Sequence, residues 1–145
     1  MIIDVNKLKQ QGKTEESFTF EFVPARQLLD LPEASIEGCV RVNAYVRLSG
    51  KDLYSEGEAV FTVKGECSRC LDEAAVEVTV PFEAQFSLLS GADYPIKAGL
   101  ADLTPAVEEA IITGSPMVIY CKDDCKGFCP NCGVNLNKSK CNCKN

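Results

Sequence analysis

Apolar and polar residues alternate in four stretches of the chain. Phe18, Phe20 and Phe22 alternate with Thr19 and Glu21, the period of a half-buried strand that Pro24 ends. Val40, Val42, Ala44, Val46 and Leu48 alternate with Arg41, Asn43, Tyr45 and Arg47, and Gly50-Lys51-Asp52 closes that strand with a turn. A third set, Ala59, Phe61 and Val63, alternates with Val60, Thr62 and Lys64 and runs into Cys67-Ser68-Arg69-Cys70. The fourth is the longest, with Val76, Val78, Val80, Phe82, Ala84 and Phe86 set against Glu77, Thr79, Pro81, Glu83 and Gln85. Pro81 has no N–H for a ladder, so it belongs at a bend or a free edge. Hairpin spacing between these stretches predicts an antiparallel meander with one face buried. The other face carries both signs, Arg41 and Arg47 against Glu77 and Glu83, which suits cross-strand pairing.

Helical patterning is sparse. Residues 25–31 predict a short helical turn before Pro32, and Ser90 to Pro95 reads as a loop. Thr104 predicts an N-cap with Pro105 at the first helical position. Leu103, Val107, Ala110 and Ile111 form the apolar stripe of this helix, and Gly114 and Pro116 stop it. Glu108 and Glu109 point about 100° apart on a helix and make a poor acid/base pair, so they are assigned to the solvated side. The pattern predicts an α+β fold, mainly antiparallel β-sheet in meander order, with one covering helix and a C-terminal cysteine-rich zinc-binding tail. Residues 1–120 are the body and 121–145 the tail.

Composition changes this picture mainly through its cysteines. The 145 residues are 46% apolar and 25% charged, ordinary values that exclude a disordered or collagen-like chain. Apolar runs such as Met117 to Tyr120 fall far short of the ~20 residues of a bilayer-spanning helix. Met1 to Lys13 holds no signal-peptide core, so a cytoplasmic location is expected. The chain has nine Cys, no His and no Trp. Imidazole-based catalysis and imidazole metal sites are therefore excluded. In a reducing cytosol, this cysteine density points to metal or redox chemistry, not to a disulfide framework.

Six cysteines crowd the tail: Cys121, Cys125, Cys129, Cys132, Cys141 and Cys143. Cys129-Pro130-Asn131-Cys132-Gly133 has the form of a zinc knuckle. Pro130 presets the turn, and Gly133 permits the positive φ that aims backbone N–H groups at sulfur. Two further ligands must come from Cys121 or Cys125 upstream, or from Cys141 or Cys143 downstream. Cys67 and Cys70 raise the count to eight, enough for two four-cysteine sites. Cys141 and Cys143, with one residue between them, are a less usual pair for a single metal.

The Cys67/Cys70 pair joins two predicted strands and does not open a helix, which disfavours a thioredoxin-like role. A metal half-site and a ligand-free hairpin turn both remain open for it. Cys39 reads as a buried, inert thiol. An all-cysteine zinc site is normally closed and structural, and the H-x-E and C-x-E elements of zinc deaminases are missing. No catalytic residues are expected.

Charge divides along the same line. The tail sets Lys122, Lys126, Lys138, Lys140 and Lys144 against Asp123 and Asp124, a net +3. The whole chain carries −6, which leaves −9 on residues 1–120. Such a body repels a phosphate backbone, and only the tail favours one.

The run from Asp102-Leu103-Thr104-Pro105 through Glu108 to Ile112, then Pro116, Cys121 to Asn137 and Cys141-Asn142-Cys143, resembles the C-terminal signature of the YceD family. Its members are called large ribosomal RNA subunit accumulation proteins. Cys67-Ser68-Arg69-Cys70-Leu71 is similar to that family's internal C-x-x-C. The resemblance implies a non-enzymatic cytoplasmic factor of ribosome biogenesis, with no membrane association and no small-molecule substrate. Its implied partners are large-subunit ribosomal RNA or a pre-ribosomal particle. The charge split adds a division of labour: the acidic body holds a basic ribosomal protein, while Lys122, Lys126, Lys138 and Lys140 touch RNA. Two other readings are a thiol- or metal-responsive regulator using Cys67 and Cys70, and a plain protein-interaction module stabilised by zinc.

Overall fold

A computed structural model describes residues 1–143; Lys144 lies outside them. The fold is α+β and mostly antiparallel. Strand β1 (Ile2–Asp4) leads into helix α1 (Val5–Gln10), and the meander follows as β2 (Glu15–Phe22), β3 (Ser35–Ser49), β4 (Asp52–Glu66) and β5 (Glu73–Ser87). Two short strands, β6 (Tyr94–Pro95) and β7 (Leu100–Asp102), precede helix α2 (Thr104–Gly114). The main sheet has the order β2-β3-β4-β5-β6, and β1 pairs with β7 in a second small sheet.

Alternation places the core. Val40, Val42, Val46, Leu53, Ala59, Phe61, Val63, Val80 and Phe86 all face one side and are buried. Val42 lies opposite Phe20 and Ala59, and Ala59 lies opposite Val80, so one apolar row crosses four strands. Helix α2 lays Ala106, Val107 and Ile111 against this side of the sheet and packs on β5. The close fit shows at Gly114, where a Cβ would meet a methyl of Val80 at 2.9 Å. Two strand positions depart from regular pairing. Gly38, with φ of +72°, accompanies a register shift in β3. Gly57 lies between Ala44 and Phe82 at a point where the backbones nearly touch: a Cβ there would stand 2.0 Å from the carbonyl oxygen of Asn43. Pro81 sits inside β5 with β4 on one side, where β6, which reaches only Phe86 and Ser87, leaves the other side free.

Several expectations need correction. Residues 25–31 form no helix; Leu28 and Leu29 are buried as irregular chain, and the Gln27 side chain donates to the Ala34 carbonyl. Pro32 disfavours helical backbone at Leu31 just before it. Helix α1 and strands β1, β6 and β7 were not foreseen; Asp4 caps α1 by accepting from the Lys7 N–H. At α2 the Thr104 hydroxyl caps nothing: it accepts from the chain's amino terminus, while the Asp102 carboxylate takes the Thr104 N–H. Glu108 is paired with Arg26, and Glu109 accepts from the Tyr94 hydroxyl, whose pKa that bond and burial push up to about 12. Cys39 is exposed, because alternation with the buried Val40 turns it outward.

The open face of the sheet is acidic. By register and alternation it carries Glu15, Glu21, Glu56, Glu58 and Glu83 with Arg41 and Arg47. Arg41 reaches Glu21 at 3.6 Å and Arg47 lies over the Tyr54 ring, so neither serves Glu83. Glu83 faces Glu56 directly across the β4–β5 ladder. Tyr45, Tyr54, Glu56 and Glu83 line a shallow hollow of about 420 Å³ on this face. Among the described residues, no helix is long and apolar enough to cross a membrane.

Candidate metal centres

Two turns of one design carry four of the cysteines. In the connection between β4 and β5, the Cys67 N–H donates to the Asp72 carbonyl and the Leu71 N–H to the Cys67 carbonyl. In the tail, the Cys129 N–H donates to the Val134 carbonyl and the Gly133 N–H to the Cys129 carbonyl. The residue after the second cysteine has positive φ in both, Leu71 at 58° and Gly133 at 72°. This left-handed residue closes the turn and puts both thiols on one side. Glycine adopts it freely, whereas for leucine it costs about 1–2 kcal/mol.

The structure sorts eight cysteines into two groups of four. Cys67 and Cys70 meet Cys121 and Cys125, and Cys129 and Cys132 meet Cys141 and Cys143. Within each group the sulfurs all lie within 4.8 Å of one another. In the first group Cys67 and Cys125 are 3.7 Å apart and Cys70 and Cys121 3.6 Å. In the second, Cys141 lies 3.2 Å from Cys129 and 3.7 Å from Cys132. A tetrahedral ion with Zn–S bonds of about 2.3 Å sets sulfur–sulfur edges of about 3.8 Å. Disulfides, at about 2.05 Å, are excluded for every one of these pairs. The thiols therefore fit two closed tetrahedral sites for a soft cation, with no ligand position open to substrate.

Cys141 and Cys143, the less usual pair by spacing, fall in one group because the chain folds back at Cys141, whose sulfur accepts the Cys143 N–H at 3.2 Å. Cys39 belongs to neither group.

The electrostatics call for a cation. Burial opposes ionisation of Cys67, yet the N–H groups of Cys121, Arg69 and Cys70 around it hold its pKa down at about 6. The N–H of Cys132, the Cys141 thiol and the N–H of Asn131 do the same for Cys129, also at about 6. At Cys70 the Asp72 N–H favours the thiolate, but burial and the sulfurs of Cys67, Cys121 and Cys125 outweigh it and push the thiol up to about 12. The Cys141 and Cys132 sulfurs push Cys143 up to about 12. Each group thus sets thiols that ionise readily beside thiols that their neighbours hold protonated. A cation among the four sulfurs would favour the thiolate at every one of them.

Residues that sequence reasoning did not single out hold the tail on the first turn. Ser68 and Ile119 exchange bonds: the Ser68 N–H donates to the Ile119 carbonyl, and the Ile119 N–H to the Ser68 hydroxyl. The Arg69 guanidinium lies 4.3 Å over the Tyr120 ring and donates to the Cys125 carbonyl at 3.2 Å. Asp72 accepts from Lys138 at 2.7 Å and from Asn135 at 3.2 Å, and the Lys138 bond holds its carboxyl below the usual range. Asn137 donates to the Cys125 sulfur at 3.4 Å. Gly127, with φ of +66°, brings the tail within 3.0 Å of the Arg69 carbonyl, measured from the Cβ it lacks. Only an alignment of Cys67–Leu71 on Cys129–Gly133 would have revealed the shared turn; the partners of Asp72 leave no sequence signal.

Of the four lysines considered for RNA contact, Lys138 is engaged by Asp72 and Lys122 lies 3.7 Å from Asp124. Lys126 and Lys140 are exposed and form no ion pair with the described residues.

The family model described as "Large ribosomal RNA subunit accumulation protein YceD" matches residues 55–145. Uncharacterized proteins of Mycobacterium bovis and Mycobacterium tuberculosis are 26% identical over 146 aligned positions, covering 94% of this chain and 70% of theirs. No solved structure matches.

Proposed function

The chain belongs to the YceD family, and from that premise we propose that it is a non-catalytic ribosome-biogenesis factor acting in the cytoplasm. It supports accumulation of large-subunit ribosomal RNA by engaging pre-ribosomal particles. The observation that carries a mechanism is the placement of charge. An acidic sheet face, Glu15 to Glu83, is fixed in one body with a lysine-bearing tail. The sheet face suits a basic ribosomal protein, and Lys122, Lys126 and Lys140 suit RNA phosphates. Zinc is the cation that all-thiolate tetrahedral groups select without redox chemistry, and its role here is structural.

The test is gradient sedimentation of the tagged protein from growing cells. Co-migration with immature large-subunit particles, lost on RNase treatment, supports the reading. K122E/K126E/K140E is expected to move the protein to the top of the gradient with its metal content unchanged. Migration of the wild type only as a small free species rejects direct action on the particle.

A further inference from the structure

The two four-cysteine groups differ in where their ligands come from. The second takes all four from residues 129–143, inside a segment folded by its own bonds: Leu136 N–H to the Gly127 carbonyl, and Lys138 and Ser139 N–H to the Asn135 carbonyl. The first takes two from the β4–β5 turn and two from the tail, across separations of 51 and 58 residues. The groups share no cysteine.

Little else fastens the tail. From residue 116 to 143, only Ile119, Cys125, Gly127 and Cys129 are buried, so three of these four are two candidate ligands and the glycine midway between them. The polar contacts across the seam are few: one exposed ion pair, Lys138 to Asp72, worth about 0–1 kcal/mol, and part-buried hydrogen bonds of Arg69, Ser68 and Asn135 worth about 0.5–1.5 kcal/mol each. One buried isoleucine and these few bonds do not offset the entropy of ordering some two dozen residues at about 1–2 kcal/mol each. A metal ion does, because its binding energy becomes folding energy.

We propose that each chain binds two zinc ions with separate roles. The ion at Cys67, Cys70, Cys121 and Cys125 is a lock that docks the tail on the sheet. The ion at Cys129, Cys132, Cys141 and Cys143 only folds the tail. The proposal rests on the zinc reading above and adds the stoichiometry, the ligand partition and the docking role. Losing the first ion frees residues 116–143 as a unit that keeps the second ion. Losing the second unravels the tail's end and leaves the docked segment in place.

The experiment measures tightly bound zinc per chain and limited proteolysis on full-length wild type, C67S/C70S, C121S/C125S and C129S/C132S. Wild type is expected to hold two ions and each double variant one. C67S/C70S and C121S/C125S should become cleavable around Gly114 to Val118, releasing a C-terminal fragment that retains zinc. C129S/C132S should be cut only beyond Gly127. The C121S/C125S variant leaves the β4–β5 turn intact, so it reports on the lock even where altering Cys67 and Cys70 disturbs the sheet. Two ions retained in C121S/C125S, or both ions lost on removing either group, overturns the partition. A wild type that holds no zinc overturns the zinc reading instead.

Discussion

Arg69 offers a way to weaken the seam between sheet and tail without touching a cysteine. It lies between Cys67 and Cys70, yet its side chain serves the tail, stacking 4.3 Å over Tyr120 and donating at 3.2 Å to the carbonyl of the buried Cys125. Truncation in Arg69→Ala removes a cation–π contact worth about 0.5–1 kcal/mol at an exposed site. It also removes a charged hydrogen bond whose net contribution is about 1.5 kcal/mol, the lower end of the range for a charged donor. Together these weaken docking by about 2 kcal/mol, which corresponds to roughly 30-fold at 1.36 kcal/mol per decade. Hydrogen exchange on the metal-loaded protein reads this directly. Amides from Ile119 to Lys126 should exchange roughly 30-fold faster in Arg69→Ala, while β3 and β4 amides keep their protection. Arg69→Lys keeps the charge but loses the planar stack and should fall between. Unchanged exchange over Ile119 to Lys126, or an equal acceleration throughout the sheet, would refute the assignment of Arg69 to the seam.

The matched turns predict opposite effects at equivalent positions. Gly133→Ala, at φ of 72° with open space around the new methyl, should destabilise the tail by about 1–2 kcal/mol, seen as zinc loss at a lower chelator concentration. Leu71→Gly removes a comparable strain from an exposed side chain, so the midpoint of chelator-induced tail release should not fall. In the sheet, Gly57→Ala drives a Cβ to within 2.0 Å of a backbone oxygen that has nowhere to move. It should cost about 2–4 kcal/mol in urea unfolding, by disrupting ladder bonds between β3 and β4. Acid should act through Asp72, whose carboxyl is held below its ordinary value by Lys138. A depressed carboxyl contributes stability above its unfolded pKa and loses it as pH falls through the folded one. The docking difference between wild type and Asp72→Asn should therefore be full near pH 6 and fade below about pH 4, measured as relative protease resistance of the tail.

The sheet was legible because a period of two leaves little choice. Val40 to Val46 and Phe61 to Val63 are buried and their alternate neighbours are not, as alternation requires. The N-terminal elements were not, because Ile3, Val5 and Leu8 are too few to establish a period, and their burial depends on Ala101 and Leu103, about a hundred residues away. Cys39 shows the opposite error: a residue type that prefers burial is placed outside by the strand's own phase. At the metal centres, the second knuckle was written in its proline and glycine. The first was obscured by a leucine in the glycine's place. The partition of ligands depends on how β4 and β5 hold one turn against a segment some fifty residues on, and no local pattern encodes that.

The acidic face poses a different physical question, because part of it works against the free fold. Glu56 and Glu83 stand directly opposite on β4 and β5, and no cation among the described residues forms an ion pair with either. Like charges in this position are destabilising by about 0.2–1 kcal/mol. Arg47 is close in register but lies over Tyr54, and leaves the pair uncompensated. A basic partner placed on this face would turn that repulsion into attraction, and the attraction would weaken with salt. E56Q/E83Q separates the two roles. If the pair serves only solubility, the variant should be slightly more stable and sediment as the wild type does. If the face holds a basic ribosomal protein, the same variant should gain about 0.2–1 kcal/mol in urea unfolding and yet lose co-migration with large-subunit precursors at lower salt than the wild type. Gain of stability with unchanged, salt-resistant association would remove the acidic face from the binding surface and leave the tail as the part that makes contact.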